Sequence, residues 1–302
     1  MLSDWSRYIR DFETYLRLER NLADNSVQAY LRDVEHLRNY AEPLGLNPDQ
    51  VTPDDLKELL RQMNEIGIAV TTQCRIISGL RTFFRMLVIN DVMPENPASL
   101  IEMPMRPQHL PDVLTDEDIA AMQATLDLSM PGQARNNVII EILYGCGLRV
   151  SELVNLKLSN VYEDEEMLQI IGKGNKERWV PINPHALKLL KDYIFTIRSQ
   201  QQPRVGEEKY VFLNLRGSHL SRVAVFQFIK EAVEKAGIRK NVSPHSLRHS
   251  FATELVQNGA DIRAVQAMLG HEDLSTTEIY THLTRPYLRN TIQTYHPHYK
   301  KN

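Results

Sequence analysis

The sequence predicts a mainly α protein of two domains, with a small β-hairpin confined to the second. Three observations lead there. Apolar residues recur at three- and four-residue steps through the first hundred positions, prolines cluster between Met103 and Asp112, and one region pairs two strand-like runs across a glycine-rich turn. A length of 302 residues, 42% apolar and 24% charged, is ordinary globular material with enough chain for two cores.

The first domain, residues 1–103, reads as a bundle of four helices. Trp5, Ile9, Phe12 and Leu16 line one face of the first, and a second runs from Ser26 to Tyr40. The third opens on Thr52 as N-cap, with Pro53 at the first helical position and Asp55 placed to reach back in a capping box. A fourth, about Thr71 to Val88, carries a wide apolar stripe of Ile76, Leu80, Phe83, Phe84 and Leu87, while Arg75, Arg81 and Arg85 project elsewhere. In residues 104–112, Pro104, Pro107 and Pro111 remove backbone donors and disfavour helix before them, which suits an extended linker.

The second domain, residues 113–302, starts with a helix at Thr115 and Asp118, followed by an apolar helix from Val138 to Tyr144 that ends at Gly145 and Gly147. Leu168, Ile170 and Ile171 lead into Gly172-Lys173-Gly174-Asn175-Lys176, and Trp179, Val180 and Ile182 follow, giving a hairpin with a basic tip. Tyr210 to Leu213 is a further short strand candidate, and the remainder is helical. No internal repeat or low-complexity segment interrupts this order.

Several function classes fall away. No stretch approaches the roughly 18 apolar residues of a membrane span, and the N-terminus lacks a basic-then-apolar leader, so neither membrane insertion nor export is indicated and a cytoplasmic protein is expected. Cys74 and Cys146 have no CxxC spacing, which argues for buried thiols and against a disulfide framework or a structural zinc site. The glycine-rich tip lacks GxxxxGK[ST] spacing, so nucleotide hydrolysis is not suggested. A net charge of −3 gives no general pull toward nucleic acid, and neither half is strongly basic, so a phosphate-binding argument must rest on local clusters.

Four such clusters stand out, each with a plainer reading beside it. In Ser243-Pro244-His245-Ser246-Leu247-Arg248-His249 a helix start sets His245 and Arg248 on one face, where unpaired N–H groups attract an anion and a neutral imidazole can accept a proton. The plainer reading is a surface helix start. In Gly145-Cys146-Gly147-Leu148-Arg149-Val150-Ser151-Glu152 small residues bring the backbone close and present Arg149 as a fork for phosphate, or as a salt-bridge partner oriented by Glu152. Lys173, Lys176 and Arg178 project from a ribbon that fits a DNA groove, or are merely solvated. Finally, Asp261 caps a helix closing at Leu269-Gly270, His271 follows, and a Ser275/Glu278 capping box opens a helix carrying Tyr280, a residue type that more often fills a core.

Two arginines, a lysine, two histidines and a tyrosine are the parts needed to transfer a phosphodiester to a phenol. In Gly147-Leu148-Arg149-Val150-Ser151-Glu152, Gly172-Lys173-Gly174, His245-Ser246-Leu247-Arg248-His249, and Leu269-Gly270-His271 with Tyr280 nine residues on, the sequence closely resembles the tyrosine recombinase (phage-integrase-like) family, most of all its Xer subgroup. Glu19-Arg20-Asn21-Leu22 with Ser26 and Ala29-Tyr30 extends the likeness to the family's amino-terminal domain.

The resemblance implies a SAM-like, four-helix core-binding domain plus a catalytic domain, together forming a C-shaped DNA clamp. It implies Arg149, Lys173, His245, Arg248 and His271 as the active-site set and Tyr280 as nucleophile, acting without cofactor or metal. Tyr280 would form a 3′-phosphotyrosyl bond and release a 5′-hydroxyl. The arginines and His271 would stabilise the transition state, Lys173 would protonate the leaving oxygen, and His245 would accept the tyrosine proton. The implied partners are a double-stranded recombination site, a tetramer with a related XerC-like subunit or with itself, and an FtsK-type DNA translocase; the implied role is resolution of chromosome dimers at cell division. Arg75, Arg81, Lys176 and Arg178 are candidates for DNA contact, with a surface salt-bridging role equally open for Arg75 and Arg81. The segment after Tyr280, with Leu283, Tyr287, Leu288, Ile292 and Tyr295 at helical spacing, either docks on a neighbouring subunit or packs on its own domain. Rivals are a phage or transposon integrase, a type IB topoisomerase that reseals without exchange, and a DNA-binding regulator that has lost catalysis.

Overall fold

The computed structural model describes residues 4–104, 112–172, 176–270 and 284–299. The chain divides into two compact units, Met1–His109 and Leu110–Asn302.

In the first unit, α1 (Asp4–Thr14) continues through a π-helical turn, Tyr15–Glu19, and is followed by α2 (Asp24–Ala41), α3 (Pro53–Glu65) and α4 (Val70–Ile89). The predicted capping box at Thr52 and Asp55 starts α3. Its core joins Trp5, Phe12 and Leu16 to Leu37, Leu56 and the expected α4 stripe of Ile76, Leu80, Phe83, Phe84 and Leu87. Phe83 lies edge-on to Phe12 with centroids 5.2 Å apart, a favourable quadrupolar arrangement. The indole of Trp5 donates to the carbonyl of Leu46 at 2.9 Å, so the buried ring keeps its polar atom satisfied.

The second unit opens with α5 (Asp116–Ala124), α6 (Pro131–Cys146) and α7 (Val150–Val154). Thr115 and Asp118 form the expected capping box of α5. However, α6 begins seven residues before Val138, at Pro131, after an N-cap Met130 whose side chain makes no capping bond. Three antiparallel strands follow: β1 (Val161–Tyr162), β2 (Met167–Ile171) and β3 (Glu177–Pro181), in the order β1-β2-β3. β1 is an addition to the predicted hairpin. The hairpin closes at Gly172, whose N–H donates to the carbonyl of Lys176 at 2.8 Å, and residues 173–175 lie outside the described residues.

Beyond the sheet come α8 (Pro184–Thr196), α9 (Arg222–Lys235), α10 (Pro244–Gln257), α11 (Ile262–Leu269) and α12 (Arg285–Tyr295). The strand expected at Tyr210 to Leu213 is not formed. That segment makes only single bridges, Lys157 with Tyr210 and Leu213 with His219, because its partners change after one residue. Leu143, Tyr144, Leu153, Leu168, Val180 and Leu247 share the main core, and Phe251, Leu255, Val265, Met268 and Ile292 a second one. The described part of the C-terminal segment, 284–299, therefore packs on its own unit through Leu288 and Ile292. Cys74 and Cys146 are free buried thiols, as expected. Among the described residues no helix is long and apolar enough to cross a membrane.

Candidate active site

The site is built where α6 ends. Gly147 caps that helix at φ +61°, and a Cβ added there would lie 2.4 Å from Cδ1 of Phe251. Left-handed backbone and lack of space together demand glycine. The turn delivers Arg149 as N-cap of α7, where its N–H donates to Oε2 of Glu152 at 2.8 Å and its Nη1 to Oε1 at 2.9 Å. Glu152 thus does orient Arg149, one of the two readings its spacing allows.

Glu152 also gathers two further guanidiniums. Arg178 donates Nη1 to Oε1 and Nη2 to Oε2, both at 2.7 Å, and Arg248 Nη1 stands 3.8 Å from Oε2. Burial pushes the Glu152 carboxyl up, but the bonds from Arg178 and Arg149 outweigh it and hold it below the usual carboxylate range. With three guanidiniums around one carboxylate the cluster stays electropositive, which suits a phosphodiester anion.

The same three arginines meet the C-terminus of α11. Arg178 Nε donates to the carbonyl of Met268 at 2.6 Å, Arg248 Nη2 to Leu269 at 2.7 Å, and Arg149 Nη2 to Gly270 at 3.0 Å. These are the last carbonyls of a helix, which have no partner within it and carry the negative end of its dipole. Arg248 Nη1 also donates to the carbonyl of Gly147 at 2.8 Å. Burial, then the neighbouring Arg149 guanidinium, push the Arg248 pKa down to about 10, which still leaves it charged near neutrality.

Arg149 and Arg248 are therefore brought together. Among the described residues each bonds through two of its three side-chain nitrogens, whereas Arg178 commits all three. Arg149 is half-exposed and Arg248 nearly buried. His245 is exposed in the first turn of α10, which Ser243 caps by accepting from the N–H of Ser246. Although His245 and Arg248 sit one turn apart, burial separates them: one faces out and the other reaches into the cluster. Lys173, His271 and Tyr280 lie outside the described residues. The residues before two of them adjoin the cluster: a Cβ on Gly172 would be 3.9 Å from Glu152 Oε1, and Gly270 receives Arg149.

Arg178 departs from its expected place. It does not project from the hairpin toward solvent; its side chain is 12% exposed and turned onto Glu152. The register explains it: Arg178 pairs with buried Ile170 and stands two residues before buried Val180, on the inward face of β3. Lys176, by contrast, is exposed. In the first unit, Arg75 pairs with the buried carboxylate of Asp33, and Arg81 donates to the carbonyls of Ala98, at 3.0 Å, and Ile101. Both have structural work in the unit that holds them.

The chain matches the description "Phage integrase family" over residues 112–286 and "Phage integrase, N-terminal SAM-like domain" over residues 9–90. It belongs to the phage integrase family, and it is a site-specific tyrosine recombinase, an enzyme of DNA strand breakage and rejoining. Its similarity to proteins named tyrosine recombinase XerD runs nearly end to end. That of Chlorobaculum tepidum is 36% identical, covering 97% of both chains, and that of Listeria monocytogenes serotype 4b is 38% identical, covering 96% of this chain and 98% of the other. Among solved structures, XerH bound to difH substrate after cleavage is 24% identical with a TM-score of 0.68 over 94% of this chain and 84% of that one. A Tn1549 transposon integrase with transposon right-end DNA is 19% identical with a TM-score of 0.72 over 94% of each chain. These two likenesses concern the fold.

Proposed function

We propose that the Glu152 cluster receives the scissile phosphate of a duplex recombination site, and that Tyr280 attacks it. The observation that carries this reading is the convergence of Arg149 and Arg248, from different helices, on one buried carboxylate, each with a nitrogen still uncommitted among the described residues. The two guanidiniums neutralise the non-bridging oxygens as charge builds on phosphorus, with a hydrogen bond from His271. The phenol oxygen of Tyr280 bonds to phosphorus at the 3′ side while the bond to the 5′-oxygen breaks. His245 accepts the phenol proton and Lys173 supplies one to the leaving oxygen. The phosphodiester energy is kept in the phosphotyrosyl bond, so strand joining by a second 5′-hydroxyl needs no nucleotide.

The enzyme works in the cytoplasm as a tetramer on two sites, with a XerC-like subunit or with itself, and an FtsK-type translocase activates it to resolve chromosome dimers. The near full-length likeness to XerD-named recombinases supports this assignment. Both domains share the phosphate contacts, so affinity falls steeply with salt.

The test is covalent trapping. Wild type and Tyr280→Phe are incubated with labelled duplex carrying a Xer-type site and a nick beside the cleavage point, then run on a denaturing gel. A slow, protease-sensitive band from wild type alone supports the reading. The same band from Tyr280→Phe removes Tyr280 as nucleophile, and no band from either despite site binding and a supplied partner favours a non-catalytic regulator.

A further inference from the structure

Arg178 has no part in the mechanism above, yet it is the most fully engaged of the three arginines. Its two terminal nitrogens grip both oxygens of Glu152 and its Nε holds the carbonyl of Met268. A guanidinium with every nitrogen committed and a side chain 12% exposed offers little to a substrate oxygen. Its contacts instead run to the two structures that Arg149 and Arg248 depend on. One is the Glu152 carboxylate, which fixes Arg149; the other is the end of α11, whose next two carbonyls hold Arg248 and Arg149. Even the backbone leaves room for it, since a Cβ on Gly270 would lie 3.0 Å from the Arg178 Cδ.

We infer that Arg178 is a positioning residue for strand cleavage, holding Glu152 ionised and the α11 terminus in register so that Arg149 and Arg248 are set for the phosphate. This rests on the catalytic reading above. β3 thereby does two jobs at adjacent residues: Arg178 faces inward to the arginine cluster, while Trp179 lies under the guanidinium of Arg285 at 3.4 Å, at the start of α12. The hairpin is tied in this way both to the helix before the 271–283 segment and to the helix after it.

A direct contact to DNA, a purely structural role and a positioning role predict different outcomes. Among the described residues the charged groups facing Glu152 are Arg149 beside it, Arg178 on β3 and Arg248 on α10. If Arg178 is removed, burial acts on Glu152 with one fewer hydrogen-bonding cation, and the carboxyl protonates at a higher pH.

The experiment measures single-turnover formation of the covalent complex on nicked Xer-type duplex at saturating DNA, from acidic to neutral pH. It compares wild type, Arg178→Ala, Arg178→Lys, Glu152→Gln and the Arg178→Ala/Glu152→Gln double variant. Arg178→Ala slows cleavage about 10²-fold, the scale of a small misplacement of catalytic groups, while DNA affinity is unchanged. Arg178→Lys recovers part of the rate, since it keeps the charge and one bond to Glu152. In the Glu152→Gln background the alanine change costs clearly less than about 10²-fold, because the Glu152 part of its role is already gone and only the hold on Met268 is left to lose. Arg178→Ala also gains a loss of rate toward acidic pH beyond the one that protonating the general base imposes on wild type and Glu152→Gln alike. Losses that multiply in the double variant, a rate unchanged at saturation with weakened DNA binding, or no acid-side loss beyond the shared one would each overturn the assignment. Should Arg178→Ala lose cooperative melting, the comparison passes to Arg178→Lys with and without Glu152→Gln. A wild type that binds the site but forms no complex would instead sink the catalytic reading, and this inference with it.

Discussion

Two buried glutamates in the second unit make opposite kinds of contact. Glu152 is surrounded by arginines, whose charge is fixed at any ordinary pH. Glu141, fully buried in α6, accepts from Asn183 Nδ2 at 3.2 Å and from Gln123 Nε2 at 3.3 Å, and meets Nδ1 of His298 at 2.8 Å. His298 in turn lies 3.4 Å from Asp116, which accepts from the hydroxyl of Tyr144 at 2.6 Å. The first carboxylate supports an electropositive site open to an anion; the second fastens the chain's C-terminal segment to the core with a titratable partner. A buried ion pair thus carries no single meaning, and the partner's chemistry decides whether it serves a substrate or an anchor.

The pH dependence separates them. Glu152 is held below its usual range, so its contribution to stability is full above the ordinary carboxylate range and is lost as pH falls through its lowered folded value. Glu141 behaves the same way on the acid side, where bonds from His298 and Asn183 outweigh the upward push of burial. His298 adds a second limit. Burial works against its charged form, but the Glu141 bond wins and raises it, so its contribution is full below the ordinary imidazole range and disappears as pH rises through the raised value. The anchor therefore works in a bounded window, and the arginine cluster has only an acid edge.

The largest test of this contrast is Glu152→Ala. It leaves Arg178 and Arg248 buried without their counter-charge, and denaturant unfolding of the second unit should show a loss of about 3–5 kcal/mol, less for Glu152→Gln. A loss below that of a surface change would break the comparison. Gly147→Ala comes next, at about 3 kcal/mol from the left-handed backbone and the clash with Phe251. Because it moves the carbonyl that Arg248 uses and leaves Glu141 alone, it should lower cleavage without altering the pH profile of melting. Gly45→Ala, at φ +72° with nothing near its Cβ, costs only about 1 kcal/mol by the same measure.

His298→Ala should cost about 2 kcal/mol in mildly acidic buffer, the scale of a charge-assisted hydrogen bond, with the difference from wild type shrinking toward alkaline pH. A pH-independent loss would show that His298 acts by packing alone. The smallest effect belongs to Lys176→Ala, beside Arg178 in sequence but exposed: stability should stay within about 0.5 kcal/mol. If Lys176 reaches a phosphate, the salt slope of DNA binding should drop by about 1.

What the sequence reveals of this fold follows the range of the interaction concerned. Helix starts at Thr52, Thr115, Ser243 and Asp261 and the stop at Gly270 are readable because a cap is written within three or four residues. The start of α6 at Pro131 is not, since Met130 offers no capping side chain. The inward face of Arg178 is hidden for a different reason: Trp179 and Val180 are adjacent and both apolar, so alternation alone does not say which parity is buried. Pairing with Ile170 settles it, and the step from Arg178 to Val180 to Ile182 is the signal that could have found it. The Glu141–His298 contact joins residues 157 positions apart, and no local pattern encodes it. The Arg149–Glu152 pair, three apart, was open to reading; the addition of Arg178 and Arg248 to it was not.

The central claim is that Arg149 and Arg248 act on the charge of the scissile phosphate, and replacing that phosphate by a neutral methylphosphonate tests it most directly. On ordinary nicked duplex, Arg248→Ala should lose about 10²-fold or more in covalent-complex formation. On the methylphosphonate duplex, which has no charge to neutralise, most of that deficit relative to wild type should vanish. A deficit of the same size on both substrates, with binding intact, would contradict the account and leave Arg248 as a strut of the fold.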